Sequence, residues 1–409
     1  MSIDRRAFLG AAAAAGAAAL APARLWATPL PRALYERSIV IDGLGVPGGM
    51  DTDADEPLTA KALADVAASG LSATHLTVGW VGTVPPLSAF EVAVRSIARW
   101  ESRIDAAPRV LIRVRDAEDI RIAKREGRTG LIYGLQDGVS FEDDLGRLDA
   151  LHQLGVRVVQ PTYNRRNLLG DGVMEPADAG LSRTGREAIE RLQALGMLVD
   201  LSHCGRRTAA DAIAMAKRPV AFTHTGCAAL VEHPRHRTDA ELRAVAESGG
   251  VTGIFVMPYL SRGRQPTAAD VVAHIEHAIN VAGSAHVAIG TDGTVSPIQL
   301  TEDYITWYRD HTRKRREEGV AAPYETEEGY LFAADLNTPR RYQTLADLLL
   351  ARGHPESVVS GVLGGNLLRV FADAWGPSPS LPDDGTRVPG HGALGEVRPS
   401  PQVHPPERA

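Results

Sequence analysis

The stretch GMLVDLSHCG, residues 196–205, runs an apolar segment straight into Asp200, Ser202, His203 and Cys204. A short apolar run bounded by glycines reads as a buried strand. Here the strand ends on groups that bind protons and metals. VAFTHTGC, residues 220–227, repeats the arrangement with His224, and VAIGTDG, residues 287–293, ends a third run on Asp292. Strands that are apolar on both faces are those of a parallel sheet covered by helices, so this pattern points to an α/β fold.

Further runs of the same kind extend the pattern along the chain. Strands are expected at 38–43 (SIVIDG), 71–78 (LSATHLTV), 129–136 (TGLIYGLQ) and 156–162 (VRVVQPT), then at 197–202, 219–224, 250–256 (GVTGIFV) and 286–292. A ninth run, RVLIRVR at 109–115, reads as a short extra segment leading into a helix. Helical spacing separates the strands: Ala188, Ile189, Leu192 and Leu195 fall on one stripe, opened by a capping box of Thr184 and Glu187. Eight strands alternating with helices predict a parallel (β/α)8 TIM barrel over residues 30–376. A doubly wound open sheet is the alternative. In a barrel the C-terminal strand ends converge on one face, and His203, His224 and Asp292 all stand at such ends.

The two ends of the chain read differently. Arg5 and Arg6, Phe8-Leu9 and an alanine-rich run form a twin-arginine export signal over 1–27, too short in its apolar part to span a bilayer, which takes about 20 residues. A periplasmic or secreted location is the expectation. Residues 377–409, rich in Pro, Gly and charge, read as a disordered tail without a membrane anchor. A net charge of −6 offers no basic face for nucleic acid. The run RKRREE, residues 313–318, reads as a solvated helix face. The long aromatic segment 293–336 reads as a lid over the catalytic face or as an accessory helix on the barrel rim.

Two imidazoles and a carboxylate suit Zn²⁺ with an open position for water, whose pKa the metal brings to about 7. Cys204 and Cys227 lie just past the two histidines. They read as free thiols, a single bridge, or soft ligands that would favour copper or zinc. His75, in the second strand, is a further donor or a structural residue of the barrel interior.

VDLSH, FTHTGCAALVEHPR, ELRAVAESGGVTGI, VAIGTD and VLGGNLLRVF together resemble the membrane (renal) dipeptidase family of the amidohydrolase superfamily, over about residues 38–375. The resemblance implies the barrel, with metal-binding histidines after strands five and six at His203 and His224, and an aspartate after strand eight at Asp292. It also implies two zinc ions held by a His-x-Asp pair after strand one and a bridging glutamate after strand three. This chain departs there: IVIDGLGV places Leu44 and Val46 at the first pair, and IYGLQDG places Gln136 at the glutamate, with Asp137 beside it. The family's substrate-contacting histidine after strand four corresponds to Tyr163, and Arg235 in HPRHRTD to the arginine that contacts the substrate carboxylate.

The reading that follows is a divalent-metal hydrolase, zinc foremost, with one ion rather than two. His203 and His224 would be its ligands, with Asp292 as proton acceptor or further ligand and Gln136 and Asp137 as weak ligands. Arg235 and Tyr163 would meet a dipeptide or other small amide. The alternatives are a different reaction on a modified amino acid, by a hydrolase or a lyase, and a non-catalytic binding protein. The resemblance also implies a homodimer. In the loop 167–182, Asp178 reads as a helix cap, while Glu175 and Asp171 are open between capping and the pocket.

Overall fold

Eight parallel strands, taken in chain order, lie side by side in one sheet: β1 (Ile41–Asp42), β2 (Ala73–Thr77), β3 (Thr129–Leu135), β4 (Val156–Val159), β5 (Leu198–Asp200), β6 (Val220–Cys227), β7 (Val251–Ile254) and β8 (Val287–Ile289). The computed structural model describes residues 32–49, 56–81, 88–319, 321–327 and 329–376. The expected export signal and C-terminal tail lie outside the described residues.

Every expected strand is present, and the sheet curls until β8 meets β1. The Gly43 amide donates to Ile289 O at 2.8 Å, and the Asp292 amide to Leu44 O at 2.7 Å. Just beyond, Gly45–Val46 pairs in parallel with Gly293–Thr294. This is the nearly closed parallel barrel, and not the open sheet. The extra run is a three-residue strand, Leu111–Arg113, lying against the start of β3.

One buried residue from each strand meets in a single layer: Ile41, Ala73, Ile132, Val158, Leu198, Ala221, Val251 and Ala288. Side chains from eight strands can meet only inside the cylinder. The helix Asn366–Trp375 seals that layer with Leu367, Val370, Phe371 and Ala374. The larger apolar cluster fills the space between strands and surrounding helices. The interior is therefore a packed plug at one end, and chemistry is left to the other.

One helix start differs from expectation. The helix Arg183–Ala194 is capped by Ser182, whose Oγ accepts from the Gly185 amide at 2.9 Å, so Thr184 and Glu187 lie within the helix and form no capping box. Serine two positions earlier serves the orphan amides of the helix start. Among the described residues no helix is long and apolar enough to cross a membrane.

Candidate active site

His203 stands three residues past β5, and His224 lies within β6, which runs on to Cys227. What sets both is Asp200. Its Oδ1 accepts from the Ser202 amide (3.1 Å), the Ser202 hydroxyl (2.6 Å) and the Thr223 amide (3.0 Å), and its Oδ2 from the Thr223 hydroxyl. The acid in the VDLSH stretch thus touches no ligand position; it ties the two histidine-bearing segments together. The imidazole rings come within 5.0 Å, centroid to centroid.

Hydrogen bonds assign each ring its tautomer. Arg235 Nη2 donates to His203 Nε2 at 3.0 Å, so the proton sits on Nδ1, which donates to Asn164 Oδ1 at 2.7 Å. The Thr223 hydroxyl gives its proton to Asp200, so its oxygen accepts from His224 Nδ1 at 2.8 Å and leaves His224 Nε2 as a bare lone pair. His75 donates from Nδ1 to Gly43 O at 2.7 Å and likewise bares Nε2. Neither bare nitrogen has a partner among the described residues. Burial, reinforced by Arg235, holds His203 and His224 well below the usual histidine range, so both are neutral.

Asp292 occupies the left-handed region at φ 56°, with its amide fixed on Leu44. Such a conformation in a non-glycine residue is costly, and here it sits at the closure of the barrel. Burial pushes its carboxyl up to about 7, against the pull of Arg235 and Arg315. Arg235 is itself buried; its guanidinium donates to Ser202 O and, at 3.4 Å, to His224 O, and lies over Phe255. Among the described residues it forms no ion pair with a carboxylate. Tyr163 stacks on His203 with centroids 4.1 Å apart. Ring contacts, hydrogen bonds and charge bring His203, His224, Arg235, Tyr163 and Asp292 into one neighbourhood, in which Tyr163 and Asp292 are half-buried and the others buried.

Sequence reading missed Arg315. It belongs to the charged run taken for a solvated face, and Arg313, Lys314 and Arg316 do point outward. Arg315 turns inward, pairs with the buried Glu325, and its charge reaches Asp292, Tyr163 and His203. The buried Tyr308 and Thr312 lie on the same helix, Glu302–Glu317. Positions 308, 312 and 315 follow helical spacing, and that was the available signal. The segment thus packs as an accessory helix and also delivers a charge. A cleft of 490 Å³ opens beside it, lined by Gly49, Ser296, Ile298, Tyr304 and Trp307 and by none of the expected site residues.

The weak-ligand positions are otherwise engaged. Gln136 donates its amide to Thr77 Oγ1 at 2.7 Å. Asp137 accepts from Asn167 Nδ2 at 2.8 Å and caps the turn Gly138–Ser140, with burial lifting its carboxyl to about 7. Leu44 is buried and Val46 exposed. Cys204 and Cys227 are buried free thiols, pushed by burial to about 11 and 12, so no bridge joins them. Asp178 caps the next helix along, accepting from the Arg207 amide at 2.6 Å; Glu175 accepts from the Arg166 amide, and Asp171 pairs with Arg166.

A family profile for membrane dipeptidase, peptidase family M19, matches residues 32–306. The chain belongs to the membrane dipeptidase family. It is 34% identical to an amidohydrolase of Pseudomonas aeruginosa, with a TM-score of 0.71 over 84% of this chain and 98% of that one. It is 27% identical to dipeptidase verJ of Clonostachys rogersoniana over 67% of this chain, and the match spans 61% of that protein's length. The fold is shared with a metallopeptidase of Rhodobacter sphaeroides, solved with a phosphinate mimic of the dipeptide L-Ala-D-Ala (19% identity, TM-score 0.66, 83% of this chain and all of that one).

Membership in a metallopeptidase family implies a divalent metal, typically zinc. The residues of this chain do not fit that group. Among the described residues no three His, Cys, Asp or Glu side chains are placed to hold an ion. His203 has both ring nitrogens committed, and the nitrogen facing the pocket is bonded to a guanidinium. Gln136 and Asp137, expected as weak ligands, are instead hydrogen-bonded to Thr77 and Asn167.

Proposed function

We propose that this chain is a dipeptidase-like hydrolase of small amides that carry a carboxylate, dipeptides foremost. The observation that carries the reading is the half-buried carboxyl of Asp292, with a pKa raised to about 7, under the field of the buried Arg235 guanidinium, which has no carboxylate ion-pair partner among the described residues. A buried unpaired cation is costly unless a guest supplies the anion, and a substrate carboxylate is such a guest. An acid–base group works best with a pKa near the working pH.

Asp292 takes a proton from water as its oxygen attacks the amide carbon. The carbon–nitrogen bond then breaks, and the proton returns from Asp292 to the leaving amine. Arg235 faces the substrate carboxylate and the charge growing on the carbonyl oxygen, while Tyr163 and the neutral His203 wall the pocket. Export by the twin-arginine route, with cleavage near Ala27, is part of the proposal and rests on the sequence of the first 27 residues.

Turnover of a broad dipeptide panel by the purified chain, with Asp292→Asn in parallel, tests the reading. Hydrolysis that vanishes in the variant supports it, and a chain inert toward the whole panel overturns it. The replacements at Leu44, Val46, Gln136 and Tyr163 favour a second reading, the same pocket acting on a modified amino acid. A copurifying non-peptide ligand would favour that one.

A further inference from the structure

We infer that this chain works without a resident divalent ion, and that the Arg235 guanidinium is the fixed cation beside His203. Three observations lead there. The first is the donor inventory. A catalytic zinc takes three protein ligands, and this pocket offers two imidazoles of which only His224 keeps a free nitrogen. His75, the other ring with a bare nitrogen, is no substitute. Its Nε2 packs against the backbone of β3 so closely that a Cβ at Gly134 would lie 2.0 Å from it.

The second is the anchoring of Arg235. It is held by Ser202 O, His224 O, His203 Nε2 and the face of Phe255, so the guanidinium is a built part of the pocket and not a side chain resting in a vacancy. The third is charge. Arg235 and Arg315 both act on Asp292 and His203, and Glu325 is paired with Arg315. A guanidinium bonded to the very imidazole nitrogen that would bind an ion repels a divalent cation there and attracts an anion. Coordinated loss of donors at Leu44, Val46 and Gln136 leaves the same sign.

The inference deepens the proposed hydrolase, yet it is decided by a measurement that needs no turnover. The full chain, expressed with added zinc and purified without chelator, is assayed for bound metal and titrated with zinc by calorimetry, alongside His203→Ala. The expected result is substoichiometric zinc and no site tighter than about 10 µM, far weaker than a set of three or four protein ligands gives. Weak zinc bound equally by wild type and His203→Ala is surface binding and agrees with the inference, whereas stoichiometric tight zinc in both would overturn it. One tightly held zinc per chain that is lost in His203→Ala overturns it.

A gain-of-function arm runs the other way: restoring the donors in Leu44→His/Val46→Asp/Gln136→Glu should create tight zinc binding that wild type lacks. If the triple variant does not fold, the wild-type titration still decides. In any active preparation, dialysis against EDTA should leave turnover and thermal midpoint unchanged; losses reversed by zinc would overturn the inference. A chain that binds no zinc and cleaves no dipeptide refutes the hydrolase reading and keeps this one.

Discussion

The mouth of the barrel has two unlike sides. On the side of β5, β6 and β8, polar groups converge: His203, His224, Arg235 and Asp292, backed by Tyr163 and Arg315. On the side of β1 and β3, the corresponding positions hold Leu44, Val46 and Gln136, and the polar atoms present are used up in closing the barrel or in pairing with Thr77. Yet the scaffolding beneath the two sides is built alike. Asp200 takes the amide and hydroxyl of Thr223 on the neighbouring strand, and Asp42 takes the amide and hydroxyl of Thr291 at 2.7 and 2.6 Å, with Tyr342 added at 2.6 Å. A buried acid stitches each pair of strands. The difference lies only in what the stitched segments present, so the fold is maintained where the metal-binding groups are gone.

Breaking the polar side should cost chemistry before stability. Asp292→Asn is expected to lower kcat/KM by about 10²–10⁴-fold, the usual worth of a positioned acid–base group, with an unchanged circular dichroism spectrum. The pH profile sharpens this. With Asp292 acting as base, log kcat/KM should rise with pH and level off above about 7. Removing a cation that lowers that pKa, as in Arg315→Met, should carry the limb to higher pH.

Stability runs oppositely. The folded carboxyl binds its proton more tightly than the unfolded one, whose ordinary value is 3.8, so the contribution of Asp292 to stability is full below that value and falls as pH climbs towards 7. Asp292→Asn should remove that decline in urea titrations across the range.

Breaking the stitch should cost stability first. Asp200→Ala strands the four donors it accepts and is expected to lose about 3 kcal/mol or more by chemical denaturation. The apolar side gives smaller effects. Leu44→Ala empties a buried position at the barrel rim and should cost about 2 kcal/mol. Val46→Thr, at an exposed site, should stay within about 0.5 kcal/mol. A larger loss at Val46 than at Leu44 would mean that the two sides differ in some way other than burial.

Much of this was legible in the chain. Buried parallel strands are apolar throughout, so their number and order could be read from runs such as MLVDLS and PVAFTH without knowing any contact. The ends of those runs marked His203, His224 and Asp292. Arg315 was not legible, because a charged helix run looks solvated until its neighbours are known, and only the spacing from Tyr308 and Thr312 hinted at an inward face. The roles of Gln136 and Asp137 were not legible either, since a side chain's partner, here Thr77 or Asn167, lies far away in sequence.

By itself the amino-acid order determined the cylinder, the face on which polar groups gather, and which metal donors are missing, because periodicity and residue identity are local properties. Tertiary structure decided what those groups do. Guanidinium against imidazole, threonine against aspartate and an accessory-helix arginine near a half-buried acid are meetings of distant segments, and protonation follows from such meetings and from exclusion of water.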